Sequence, residues 1–544
     1  MADRFDYIIV GAGSAGCTLA GRLTEDPKAT VLLLEAGGWD RDPWIQIPLG
    51  WGRILQKRLH DWMYFSEPCE TMDGRRIECA RGKVIGGSSS INAMAYYHGH
   101  RSDYDRWASF GLPAWSYANV LPYFRRSENW QGGEDAYRGG SGPLTTQFST
   151  FEDPLCEAFL EAGRQAQFPY TEDYNGRNQE GFARIQTTLH EGRRRSAASA
   201  YLHPARDRPN LRVETNALAM RIDLKGTRAT GVTYRQGGKT LSATADREVI
   251  LAGGAINSPQ LLMLSGIGDP DQLREHGIDV TCPLSGVGQN LSDHTSAALA
   301  FRRKGSGTFQ RNLRADRVAV ALGKAYLGRG GFAADLPFGI TAFVKTAPEE
   351  PVPDVQLLFW MGATTTASPY LPPFRRPAED SFSIRAMPMR PVSRGHLALT
   401  SADPGDAVRI FQNFLGAEEE WHVMRRGLRM IRELVASEPL RPFAGEELAP
   451  GIDCQSDEDL DAHVRATMIT VHHPIGTCKM GADDDDRAVV DGSLKVRGIE
   501  GLRVVDASVM PDLIGGATNA PVIMIAEKAA DMILGKEPLA PARL

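Results

Sequence analysis

Near the N-terminus apolar positions run almost unbroken through Phe5-Asp6-Tyr7-Ile8-Ile9-Val10 and stop at glycine. A short continuous run of this kind predicts a strand covered on both faces. The period then changes. Cys17, Leu19, Ala20 and Leu23 suit the buried face of a helix, and Thr30-Val31-Leu32-Leu33-Leu34 predicts a second strand ending at Glu35. Farther on, Leu211-Arg212-Val213-Glu214-Thr215 and Glu248-Val249-Ile250-Leu251-Ala252-Gly253-Gly254 predict two more strands. The second closes in small residues, as a strand does where it passes a ligand. Between about 305 and 460 the pattern alternates, as in Val355-Gln356-Leu357-Leu358-Phe359-Trp360 and His396-Leu397-Ala398-Leu399-Thr400. Alternation predicts an antiparallel sheet with one face covered and one more open. Glu418 to Leu434 predicts an amphipathic helix, Leu502 to Asp506 a strand, and Pro521 to Ile533 a terminal helix with proline in its first turn.

The turn between the first strand and helix reads Gly11-Ala12-Gly13-Ser14-Ala15-Gly16. In a βαβ unit of roughly thirty residues this is a dinucleotide fingerprint. Gly11 permits the tight turn, Gly13 lets backbone approach a pyrophosphate, and Gly16 lets helix and strand pack closely. The helix N-terminus, with Ser14 and Ala15 in its first turn, offers unpaired N–H groups and a positive dipole end to phosphates. Glu35, about twenty residues beyond the last glycine, is placed to accept hydrogen bonds from a ribose diol, and its charge disfavours a 2′-phosphate.

At 544 residues the chain exceeds one compact core, so more than one domain is expected. A net charge of -6 argues against nucleic acid as a partner. The cluster Arg193-Arg194-Arg195 is expected on a solvated face or in local ion pairs, and the run Asp483 to Asp486 in an exposed loop. Cys17, Cys69, Cys79, Cys156, Cys282, Cys454 and Cys478 are scattered and odd in number, which argues against a disulfide framework or zinc cluster and suits a reducing compartment. No secretory signal pattern and no membrane-spanning apolar run is present, so the expected location is cytoplasmic, with peripheral membrane attachment left open.

Four ordered segments resemble the glucose–methanol–choline (GMC) flavin oxidoreductases, most closely their choline dehydrogenase-like alcohol dehydrogenases. They are the fingerprint ending Leu34-Glu35-Ala36-Gly37-Gly38, the stretch Gly82 to Met94, the stretch Gly254 to Gly268, and a C-terminal set. That set runs from His473-Pro474-Ile475-Gly476-Thr477-Cys478 through Asp506 to Asp531. The resemblance implies FAD as the dinucleotide and an α/β fold. A Rossmann-like FAD domain, discontinuous in sequence (1–155, 200–305 and 460–544), would carry an antiparallel-sheet substrate domain (156–199 and 306–459). It further implies that Glu35 and Ala36 hold the adenosine ribose and that the backbone of Ala219 meets adenine. Val84, Gly87, Asn92, Ala93, Met94 and Ala95 would line the flavin, with Asp506, Asn519 and Pro521 closing over it. Gly86 and Gly87 suit backbone approaching a flat ring. Some family members attach FAD through a histidine just before the asparagine matched here by Asn92. That position is Ile91, which has no nucleophilic atom, so the flavin is expected to be noncovalent.

Oxidising an alcohol removes a hydride from carbon and a proton from oxygen. The flavin N5 receives the hydride, and a positioned base must receive the proton. Histidine suits that role near neutrality, and His473 falls where the family carries its catalytic histidine. Adjacent His472 is expected as a pocket or supporting residue, and no metal site is expected, since no further ligand has suitable spacing. Gly516-Ala517-Thr518-Asn519-Ala520-Pro521 carries Ala517 where relatives usually have histidine or asparagine. The expected function is FAD-dependent oxidation of a primary or secondary alcohol to the aldehyde or ketone. Electrons would pass to oxygen, a quinone or another carrier. The alternative, kept open by Ala517, is a non-redox flavin enzyme of hydroxynitrile-lyase-like or photodecarboxylase-like type.

Overall fold

A computed structural model describes residues 3–362 and 369–543. In the first half of the chain the elements that frame the site are β1 (Asp3–Val10), α1 (Ser14–Leu23), β2 (Val31–Leu34), β3 (Gly181–Arg184), β4 (Leu211–Glu214), β5 (Ala217–Lys225), β6 (Arg228–Gln236), β7 (Lys239–Leu251) and α2 (Gly254–Leu264). In the second half they are β8 (Thr295–Arg303), β9 (Ile340–Val344), β10 (Val355–Met361), β11 (Ser381–Pro388), α3 (Glu418–Ala436), β12 (Ala444–Ala449), β13 (Leu502–Val504) and α4 (Asn519–Leu534).

The first sheet has the order β5-β6-β7-β1-β2-β4, with β13 added alongside β7. β1 lies at its centre, parallel to β2 and β7, and Ile9 stands level with Leu33 and Ile250. All three are fully buried, and each such side chain contributes roughly 1.5–3 kcal/mol. The C-terminal strand β13 joins this sheet in parallel through Val249↔Leu502. α4 is fastened to α1 by Glu527, a fully buried carboxylate that accepts from Arg22 at 2.9 Å, Arg126 at 2.8 Å and Tyr201 at 2.7 Å.

The second sheet is antiparallel throughout, in the order β12-β8-β11-β10-β9-β3. Its alternation sorts the faces. Val355, Leu357 and Phe359 of β10 and Phe382, Ile384 and Ala386 of β11 join a core with Trp421, Met424, Leu428 and Ile431 of α3. Those helix positions repeat every three or four residues, as an apolar stripe requires. A Cβ on Gly427 would sit 2.9 Å from that of Ala386, so glycine sets the close approach of α3 to the sheet.

Two expectations change. His396–Ala398 is a strand, but it pairs only with Arg409–Phe411 in a separate two-stranded sheet. Of the arginine cluster, Arg193 is exposed, but Arg194 is buried with no carboxylate. Its guanidinium donates to the carbonyls of Ile45, Ser89 and Asn92 and to Asn92 Oδ1. Burial pushes its pKa down to about 9.

Candidate active site

A cavity of about 820 Å³ lies between the two sheets, near the upper end of the ~300–1,000 Å³ usual for cofactor and ligand sites. Gly11, Gly13, Ser14 and Ala15 line it at the N-terminus of α1. That helix has no side-chain cap and no acidic residue in its first turn, so its leading N–H groups are free for an anion. Gly11 has φ +101°, and a Cβ on Gly16 would stand 1.8 Å from Gly11 O, so Gly16 works inside the turn rather than on the cavity wall. A Cβ on Gly13 would meet nothing closer than 4.0 Å and would enter the cavity. Glu35 is buried at the end of β2, accepting from Ala12 N at 2.9 Å and Gly37 N at 2.8 Å. Each carboxylate oxygen keeps a lone pair for a diol. Burial nonetheless pushes its pKa up to about 7, against the pull of both backbone donors. Ala36 and Ala219 line the same end, where Ala217 N donates to Glu35 O. An uncapped helix start, a glycine opening and a diol-accepting carboxylate fit FAD.

Gly87, Ile91, Asn92, Ala93, Met94 and Ala95 also line the cavity. Asn92 does so as a fixed post, because its Oδ1 accepts from Met94 N and Arg194 Nη1. The missing Cβ of Gly87 makes room for Gly13, whose Cα would lie 2.7 Å away, rather than directly for a ring. Val84 is not on the wall. It is fully buried with Ile45 and Ile54. Pro521 is also off the wall, buried in the first turn of α4, whereas Asn519 and Val522 reach it. Asn519 Oδ1 accepts from Ser14 Oγ at 2.7 Å, joining both ends of the chain. Asp506 borders the cavity, but its carboxylate is engaged by Gly254 N, Ser258 Oγ, Ser508 N and Ser508 Oγ.

His473 lines the cavity and is oriented by a residue the sequence reading missed. His294 Nε2 lies 2.9 Å from Met389 O, and a carbonyl only accepts, so Nε2 carries the proton. Burial pushes His294 down to about 4, leaving it neutral with a lone pair on Nδ1. That atom is 3.0 Å from His473 Nδ1, which must then be the donor. The lone pair of neutral His473 is therefore on Nε2. Burial, followed by His294, Arg81 and His472, holds the His473 pKa well below the usual histidine value. Its backbone N–H donates to Asp293 at 2.7 Å, and Thr470 Oγ1 donates to the same carboxylate at 2.6 Å. His472 sits at φ +65°, an uncommon conformation for a non-glycine residue, held where its carbonyl accepts from Arg81. The only advance signal of this support was the dipeptide Asp293-His294, which no local spacing links to His473. Ala517 lines the cavity among Tyr97, Tyr174 and Met389.

Two family models described as GMC oxidoreductase match residues 5–296 and 391–526. The chain is 46% identical over 544 residues to the mitochondrial choline dehydrogenase of Mus musculus, covering 98% of this chain and 90% of that protein. It is 44% identical over 536 residues to an oxygen-dependent choline dehydrogenase of Rhizobium etli, covering 98% and 96%. Among solved structures, pyridoxine 4-oxidase from Mesorbium loti superposes with a TM-score of 0.87 at 31% identity, over 98% of this chain and 100% of that one. A formate oxidase variant from Aspergillus oryzae gives 0.90 at 28%, over 98% of each. With that sequence similarity over nearly its whole length, and a cavity suited to FAD, the chain belongs to the GMC oxidoreductases and is an FAD-dependent oxidoreductase acting on CH–OH groups.

Proposed function

We propose that this enzyme oxidises a primary or secondary alcohol to the aldehyde or ketone, with His473 as the base and electrons passed on to oxygen, a quinone or another carrier. The observation that carries the reading is the proton order Met389 O, His294, His473, which leaves Nε2 of a cavity-lining imidazole unprotonated. FAD held at the α1 N-terminus and Glu35 would supply the two-electron sink for the hydride lost from the alcohol carbon. His473 Nε2 takes the hydroxyl proton, and the C–O bond becomes a carbonyl. The resulting imidazolium keeps its Nδ1–H on His294, while Asp293 places a carboxylate against its backbone. An unperturbed histidine would put the activity limb near neutrality. Burial moves it to more acid pH, so the base form is already present at pH 7.

Ile91 lies on the cavity wall at the position of covalent attachment and has no atom able to bond the flavin. Acid precipitation should therefore release free FAD into the supernatant. Anaerobic mixing with an alcohol should bleach the bound flavin. A flavin left oxidised by every alcohol tried, with turnover only as a lyase or under blue light, would replace this reading.

A further inference from the structure

Guanidiniums held wholly or partly out of water in this protein are generally met by acceptors. Arg138 has Glu128 and Asp173, Arg303 has Asp153, and Arg503 has Glu248. Arg194 and Arg81 lack carboxylates but donate to backbone carbonyls, including His472 O for Arg81. Among the described residues half-buried Arg385 on β11 has neither, and its one hydrogen bond there runs from Nη1 to Ser296 Oγ at 3.3 Å. Desolvation alone moves its pKa, down to about 10, so it stays charged at neutral pH with no charged neighbour offsetting the burial. Residues 363–368, outside the described structure, read Ala-Thr-Thr-Thr-Ala-Ser and hold no carboxylate.

Arg385 faces the cavity. On the sheet face opposite the α3 core, Gln356, Leu358 and Trp360 of β10 stand beside Ser383, Arg385 and Met387 of β11, all lining the cavity. The acidic residues on the wall are Glu35, Asp61, Asp406 and Asp506. None belongs to this sheet, and none pairs with Arg385. Ser296, which marks the guanidinium's position, is two residues along the chain from His294, or about 7 Å at strand rise. A charged fork held partly out of water with one weak partner is costly unless a ligand supplies an acceptor.

We propose, on the reading that His473 abstracts the alcohol proton, that the substrate is a hydroxy-carboxylate whose carboxylate docks on Arg385 while its hydroxyl-bearing carbon lies at His473. A carboxylate matches the planar fork with two parallel N–H···O bonds. One cation among Leu358, Met387 and Trp360 suits a single charge on an apolar chain. The oxidation balances as for any alcohol: hydride to FAD, proton to His473, and the carboxylate unchanged.

The test uses the FAD-loaded enzyme with a graded series of ω-hydroxyalkanoates, the neutral alcohols of equal length, and choline. The expected result is a kcat/KM for the best hydroxyalkanoate about ten- to a hundredfold above its neutral counterpart, with choline poorer still. Arg385→Gln should remove that advantage through KM, costing the hydroxyalkanoates about ten- to a hundredfold more than the neutral alcohols. Titration with an alkanoate lacking the hydroxyl should perturb the flavin spectrum of the wild type and not of Arg385→Gln, a readout independent of turnover. Neutral alcohols or choline preferred by wild type, or an equal loss on all substrates in Arg385→Gln, would overturn the proposal and leave the alcohol-oxidation reading intact. Oxidation of no alcohol at all would instead remove the reading on which it rests.

Discussion

The wall built from β1, α1 and the turn at Gly87 meets the cavity with backbone: helix N–H groups, glycines without side chains, and a carboxylate held by two peptide N–H groups. The wall built from β10 and β11 meets it with side chains delivered by alternation. Backbone recognition needs the chain at one place and tolerates no Cβ. Side-chain recognition can be rewritten one residue at a time without disturbing the sheet. That difference leaves one wall fixed by the course of the backbone and the other, where Arg385 stands, open to change by single side chains.

The comparison is broken most severely at the cradle. Gly16→Val would drive a side chain into Gly11 O, and Gly13→Val would fill the opening above α1. Purified protein should be colourless in both cases, with a normal FAD complement in Gly13→Val refuting the assignment of that opening.

On the opposite wall single substitutions should keep the flavin and lose rate. His473→Ala should slow flavin reduction by roughly two to four orders of magnitude, measured by stopped flow. His294→Ala should slow it by about ten- to a hundredfold, because the imidazole loses the partner that fixes its tautomer. An unchanged rate in His473→Ala would move the proton to another acceptor, with His472 the adjacent candidate.

A smaller gain is expected from Ala517→Asn. The side chain would regain a polar group beside the reacting hydroxyl, and small alcohols should reduce the flavin about tenfold faster. If every alcohol slows instead, the space beside Ala517 is in use and another polar group of the cavity wall, with Asn519 the nearest in sequence, becomes the candidate to hold the substrate oxygen.

The smallest effect is on stability. Burial, with Arg81 and Arg58 nearby, pushes His472 down to about 3, whereas an unfolded chain protonates its histidines near pH ~6.5. Between those values the unfolded state binds a proton that the folded state refuses, so this contribution is complete above about pH 6.5 and is lost as pH falls. Glu35 and Asp293, raised to about 7 and about 6, act in the opposite sense. The measurement is therefore differential. Relative to His472→Gln, wild type should lose up to about 1.4 kcal/mol per pH unit below that point, read from denaturant melts. Parallel profiles would place that proton elsewhere.

The sequence by itself determined the βαβ unit, the uncapped helix start, Glu35 and the candidacy of His473. Each depends on residues close together in the chain, where steric demands on the backbone leave a readable spacing. The alternation of β10 was legible for the same reason, as was the stripe of α3. Only the tertiary structure decided which groups converge. His294 reaches His473 across 179 positions, and Arg385 reaches Ser296 across 89, through strand pairing. It also withdrew Val84 and Pro521 into the core and buried Arg194 from an apparently solvated cluster. Residue type does not encode these placements. They follow from sheet register, in which a shift by one residue would turn Arg385 from the cavity into the core.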